Sequence, residues 1–86
     1  MIVHVPTPLR SYTGERATVD GEGRTLDDVL RSLDRRYPGM RFRIVDEVGR
    51  LRPHIKLFIG LEPTQDLGAP LDGAGEVHII CALSGG

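Results

Sequence analysis

The chain has 86 residues, 40% of them apolar, and its 11 Lys and Arg against 12 Asp and Glu leave a net charge of −1. A chain of this length buries only about 60–65% of its unfolded surface, so it holds one core, has no place for a second domain and offers little room for an enclosed active site. The charge balance and a longest basic run of two, Arg35-Arg36, argue against nucleic acid as a partner. The longest apolar run is five residues, 79–83, against the ~20 that a membrane span needs.

Residues 1–5 read as a strand with Val3 and Val5 on one face, and Pro6 ends it because proline cannot donate to a ladder. Residues 7–14, with Pro8, Ser11, Thr13 and Gly14, read as a turn-rich connection to a second, more polar strand over 15–20, with Ala17 and Val19 sharing a face. Gly21-Glu22-Gly23 then breaks the chain. No third glycine and no Lys-Ser/Thr pair follows, so it is a turn and not a phosphate loop.

Next comes the clearest element. Thr25 is placed to cap a helix and Asp28 to complete a short capping box. Leu26, Val29, Leu30, Leu33 and Tyr37 form one apolar stripe; Asp27 and Asp28 open the helix, Arg35 and Arg36 close it, and Pro38-Gly39 stops it. The pattern predicts a helix over 25–37.

Residues 40–53 are ambiguous: Phe42, Ile44 and Val45 are apolar, and 46–52 look like a loop. Residues 54–59 alternate strongly, with Ile55, Leu57 and Ile59 facing one way and His54, Lys56 and Phe58 the other. Residues 60–75 are mostly connection, with a short strand expected near 65–67. Residues 75–81 form the last strand, Val77, Ile79 and Cys81 inward and Glu76, His78 and Ile80 outward.

One main helix against a mixed sheet of four to five strands is an α+β arrangement. A β-grasp roll fits the order: the N-terminal hairpin and the last strand form the middle of the sheet, and the helix covers one face. The expected organisation is a β-grasp domain over 1–81 followed by a flexible tail over 82–86. That tail, Ala82, Leu83, Ser84, Gly85 and Gly86, is small and uncharged. Random placement of the 11 glycines would put two at the end in only about 1–2% of cases, so the terminal pair is read as more than a frayed end.

On these residues the sequence resembles the MoaD/ThiS-type ubiquitin-like sulfur carriers across essentially its whole length. The likeness is carried by Val3 through Pro6 with Thr7 and Leu9-Arg10, the helix 25–37, Leu71-Asp72-Gly73 with Glu76-Val77, and the terminal Ala82-Leu83-Ser84-Gly85-Gly86. Pro6-Thr7-Pro8-Leu9-Arg10 followed by Thr13-Gly14 looks most like the branch that supplies sulfur for cysteine made from O-phosphoserine. Cys81, where many relatives carry proline or an aliphatic residue, and Ala74-Gly75 before Glu76 depart from the pattern, and neither touches the tail.

The resemblance implies a protein co-substrate, not an enzyme. An E1-like adenylating and sulfurtransferase partner would use ATP to activate the Gly86 carboxylate, which sulfur would convert to a thiocarboxylate. No cofactor would stay bound. The acceptor would be a cysteine synthase-like enzyme or a molybdopterin synthase large subunit. Gly85 and Gly86 lack Cβ atoms, so a narrow channel can close on the backbone. Residues 82–86 span at most roughly 17 Å, enough to thread into a partner. The alternatives are a molybdopterin synthase small subunit, a ubiquitin-like modifier joined to lysines through Gly86, and a plain β-grasp binding module.

Other residues carry weaker signals. Phe58 and Ile80 are expected to form an outward apolar patch for partner docking, unless 40–53 folds over Phe58. His4, His54 and His78 fall on the same outward face; with no linking motif and no carboxylate placed beside them, they read as solvated histidines and no metal is assigned. Cys81, the only cysteine, excludes an internal disulfide, points inward and reads as a small hydrophobe. A reducing, cytoplasmic setting is expected. Lys56, the only lysine, reads as a solvated strand residue. No catalytic triad or carboxylate pair can be argued from spacing.

Overall fold

The computed structural model describes residues 1–82. Five strands, β1 (Ile2–His4), β2 (Thr18–Asp20), β3 (Ile55–Ile59), β4 (Glu62–Thr64) and β5 (Glu76–Cys81), form one sheet in the order β2-β1-β5-β3-β4. β1 runs parallel to β5 and every other pairing is antiparallel. The N-terminal hairpin and the last strand therefore lie side by side, as the β-grasp expectation required.

Alternation sorts each strand into two faces. Val3, Val19, Ile55, Leu57, Val77 and Ile79 turn inward and are buried. Register stacks them in rows: Val19 beside Val3 beside Val77, and Ile79 beside Leu57. Helix α1 (Leu26–Arg36) lays Leu26, Val29, Leu30 and Leu33 on this face, each almost wholly buried. Burying a side chain of this size contributes about 1.5–3 kcal/mol, so this stripe is the main anchor of the helix.

The start of α1 is fixed by the predicted capping box. The Asp28 N–H donates to the Thr25 hydroxyl, and the Asp28 carboxylate accepts from the Thr25 N–H. Gly23 just before it has φ +155°, and a Cβ there would lie 2.3 Å from the Asp28 Cβ, so only glycine fits against the box.

Four expectations need correction. The connection 7–14 is not a simple turn: Thr7–Thr13 forms a 3-10 helix behind Pro6, closed by Gly14 in the left-handed region. It seals one end of the core with Leu9 and with Thr13, whose hydroxyl lies 2.9 Å from the Arg16 carbonyl oxygen. β2 is consequently shorter than 15–20, because Glu15, at φ +68°, still belongs to the end of that turn. The ambiguous stretch opens with a short helix, α2 (Met40–Ile44), which buries Met40 and Ile44 in the core on the α1 side of the sheet. The fourth strand lies at 62–64, not 65–67. Gly60 and Leu61 make the two-residue turn from β3, and Pro63 is tolerated because β4 is an edge strand with β3 as its sole neighbour. Residues 65–67 belong instead to a turn in which Asp66 accepts from the Gly68 N–H.

Asp27 joins α1 to α2. One oxygen accepts from Arg31 Nε at 2.7 Å, the other from Arg41 at 2.7 and 3.2 Å. Asp34 adds backbone contacts to Gly39 and Arg41. Partial burial alone would raise the Asp27 carboxyl pKa, but hydrogen bonds from Arg31 and Arg41 outweigh it and hold the group below the ordinary 3.8. Its stabilising contribution is therefore present above that value and is lost as pH falls through the lowered one. Asp27→Asn is expected to cost about 1–2 kcal/mol in neutral-pH urea unfolding, and the gap to the parent should close below about pH 4; a gap that stays constant would refute the linkage.

Candidate functional site

The site is built around β5. It lies between β1 and β3, and its last rungs pair Ile80 with Lys56 and Cys81 with Ile55. The Ala82 N–H donates to the His54 carbonyl at 2.7 Å, so the backbone of this first expected tail residue is still tied to the sheet. The side chain of Ala82 is exposed. Leu83, Ser84, Gly85 and Gly86, the remaining expected tail and activation residues, lie outside the described residues.

Two shallow clefts flank the point where β5 ends, and Cys81 borders both. One, of about 390 Å³, is walled by Pro6, Thr7, Pro8 and Arg10. The other, of about 360 Å³, is walled by Phe42, Arg43, Arg52 and His54. Arg10 is held by a hydrogen bond to the Val5 carbonyl at 3.0 Å. Arg52 donates to the Phe42 carbonyl at 2.7 Å, and its guanidinium lies 4.6 Å from the Phe42 ring centroid. The 3-10 helix places Arg10, α2 places Arg43, and the segment that follows α2 places Arg52 around the end of the last strand.

The sheet face opposite α1 carries the other expected residues. Register aligns Thr18, His4, His78, Phe58 and Pro63 in one row across all five strands. Phe58 is half-buried in that row and diagonal to Ile80, which is 42% exposed. The expected pair therefore shares one face. Met40, Ile44 and Val45 of 40–53, the segment that was the alternative cover for Phe58, are buried in the core.

The histidine expectation is half corrected. His4 and His78 are register partners, and their rings stack at 4.1 Å with 2° between planes. His54 does not join them; it precedes β3 and lies at the arginine-lined end. A carboxylate is present after all: Glu76 lies 3.0 Å from His4 and 3.6 Å from His78. The hydrogen bond from His4 holds its carboxyl below the usual glutamate range. Glu76-x-His78 on one strand face is visible in the sequence, but its closeness to His4 requires the parallel register.

Among the described residues no helix is long and apolar enough to cross a membrane. The model of the ThiS family matches residues 3–86, nearly the whole chain. The chain belongs to the ThiS family. Within reach of this ThiS-family protein is the sulfur carrier protein CysO of Mycobacterium tuberculosis, 29% identical over 98% of this chain and 96% of its own length. The M. tuberculosis CysO crystal structure superposes with a TM-score of 0.88 at 28% identity, covering 95% of this chain and 98% of that one. CysO in the Amycolatopsis orientalis BexX/CysO complex gives 0.87 at 29% identity over 99% and 98% of the two chains. SAMP1 from Haloferax volcanii gives 0.77 at 27% identity over 100% and 98%.

Cys81 is half-buried, and desolvation raises its thiol above the ordinary 9.0. A thiol kept protonated at neutral pH is a poor nucleophile. Iodoacetamide should therefore alkylate Cys81 more slowly at pH 7.5 than an unstructured cysteine peptide; equal rates would show an accessible thiolate.

Proposed function

We propose that this ThiS-family protein is a sulfur carrier, with the carboxylate of Gly86 as the group that is charged. The observation that carries the reading is that the family match runs through the terminal Gly85-Gly86 of a β-grasp domain. In the first step a carboxylate oxygen attacks the α-phosphorus of ATP held by an E1-like partner, and pyrophosphate leaves. In the second, a sulfide-level donor attacks the acyl carbon and AMP leaves, so carbon–sulfur replaces carbon–oxygen with no change in oxidation state. A free carboxylate is a poor acyl donor, and the mixed anhydride with AMP supplies the missing leaving group. The carrier then presents its sulfur as a held nucleophile, where proximity favours transfer over dilute sulfide.

The likeness to proteins named CysO favours a cysteine synthase-like acceptor over a molybdopterin synthase large subunit. That one CysO has been crystallised with another protein, BexX, supports docking as a part of the function. For this chain we assign docking to Phe58 and Ile80 on the exposed sheet face, and entry into the partner to residues 82–86. Arg10, Arg43 and Arg52 around the end of β5 suit an acidic rim on the activating partner. The bound nucleotide stays with that partner, and the carrier itself does no catalysis.

A second reading has specific support. A Haloferax volcanii relative of the same fold is named small archaeal modifier protein 1, which favours isopeptide conjugation through Gly86. Intact mass separates the two after incubation with ATP, the activating enzyme and sulfide. The carrier should gain the mass of one oxygen exchanged for sulfur, and a chain ending at Ser84 should not. Adducts on other proteins in a lysate would instead favour the modifier; an unchanged mass in the presence of an active partner would overturn the carrier.

Docking has its own check. Phe58→Ala should lower kcat/KM for activation by about tenfold or more, as removal of a buried aromatic anchor does. Its urea midpoint should change little, since Phe58 is outside the core cluster. Unaltered activation kinetics would remove Phe58 from the interface.

A further inference from the structure

We propose that His4, His78 and Glu76 form a binding site for one divalent transition-metal ion of the Zn2+ class on the exposed face of the β1–β5 pair. His4 and His78 stand side by side on parallel strands, and Glu76 lies two residues before His78 on the same face. One donor atom from each residue lies within 4.8 Å of both others. Donors held ~2.0–2.2 Å from a common ion stand roughly 3–4 Å apart. The Glu76 carboxylate already has that spacing to both imidazoles, 3.0 Å to His4 and 3.6 Å to His78.

The donor chemistry selects the metal. Two imidazoles and one carboxylate suit zinc, nickel or copper, whereas magnesium and calcium prefer all-oxygen sets. The three residues sit on two adjacent interior strands of the sheet, β1 and β5, so no loop has to order before binding. Binding needs a lone pair on each Nε2, with the ring proton on Nδ1; coordination then replaces the hydrogen bond between His4 and Glu76. The two ring planes are parallel and 4.1 Å apart at their centroids, so one ion cannot lie in both planes and uptake tilts the stacked rings toward each other. Three protein donors leave a fourth position facing solvent, filled by water in the free protein and open to a donor from a docked partner.

The test uses the full chain after chelator treatment, with ZnCl2 followed by calorimetry and CoCl2 by visible absorption. The expected result is one ion per chain, Co2+ d–d bands and a higher melting temperature with added Zn2+. His4→Asn, His78→Asn and Glu76→Gln should each weaken binding by more than the ~10–100-fold typical of losing an outer-shell partner. Cys81→Ser and His54→Asn should bind as the parent does. No saturable binding by the parent, or unchanged binding by a His4→Asn/His78→Asn double variant, overturns the site. None of these readouts involves ATP, sulfide or an activating enzyme, so the outcome is independent of whether the protein carries sulfur.

Discussion

The parallel alignment of β1 with β5 organises this molecule. It joins the first residues of the chain to the last strand, and its register decides what meets on either side. Inward, it sets Val3 against Val77 and completes the floor on which α1 rests. Outward, it stacks His4 on His78 and brings Glu76 to both. Parallel pairs need a long crossover, and here the whole intervening chain, including α1, α2 and β3, serves as one. Sequence-distant contacts of this kind cost chain entropy to close, and burial of the apolar stripe of α1 offsets part of that cost.

The two faces of the sheet differ in what they can do. The inner face is apolar and closed by α1 and α2, with Asp27 and Asp34 fastening one helix to the other. The outer face is mixed, with His, Glu, Lys56, Phe58 and Ile80 on neighbouring strands. Changes to Phe58 or Ile80 on the outer face therefore disturb the core little. The end of β5 belongs to neither face: it is framed by the 3-10 helix and α2, which contribute both core residues and arginines.

What was legible in the sequence follows from the range of the forces involved. The helix 25–37 was readable because its cap, stripe and terminal charges are all local, and the observed α1 differs only in that Thr25 and Tyr37 serve as its caps. The strands near 54–59 and 75–81 were readable from strict alternation. Thr7–Thr13 and Met40–Ile44 were not, since five to seven residues rich in proline or arginine show no clear period, and their helical form is set by packing against the core. β4 was displaced in the reading because Pro63 signals a break unless the strand is known to lie at an edge. Phe58 and Ile80 could be placed on one face from parity alone. The meeting of His4, His78 and Glu76 could not, because nothing within either strand states which rung of the other it faces.

One consequence concerns the borders of the sheet. β2 offers three residues on one side, and β4 offers three with Pro63 in the middle on the other. Short or proline-interrupted borders are poor templates for a strand from another molecule. The fold thus discourages fibre-like stacking of copies at high concentration by adding strand to strand at either border.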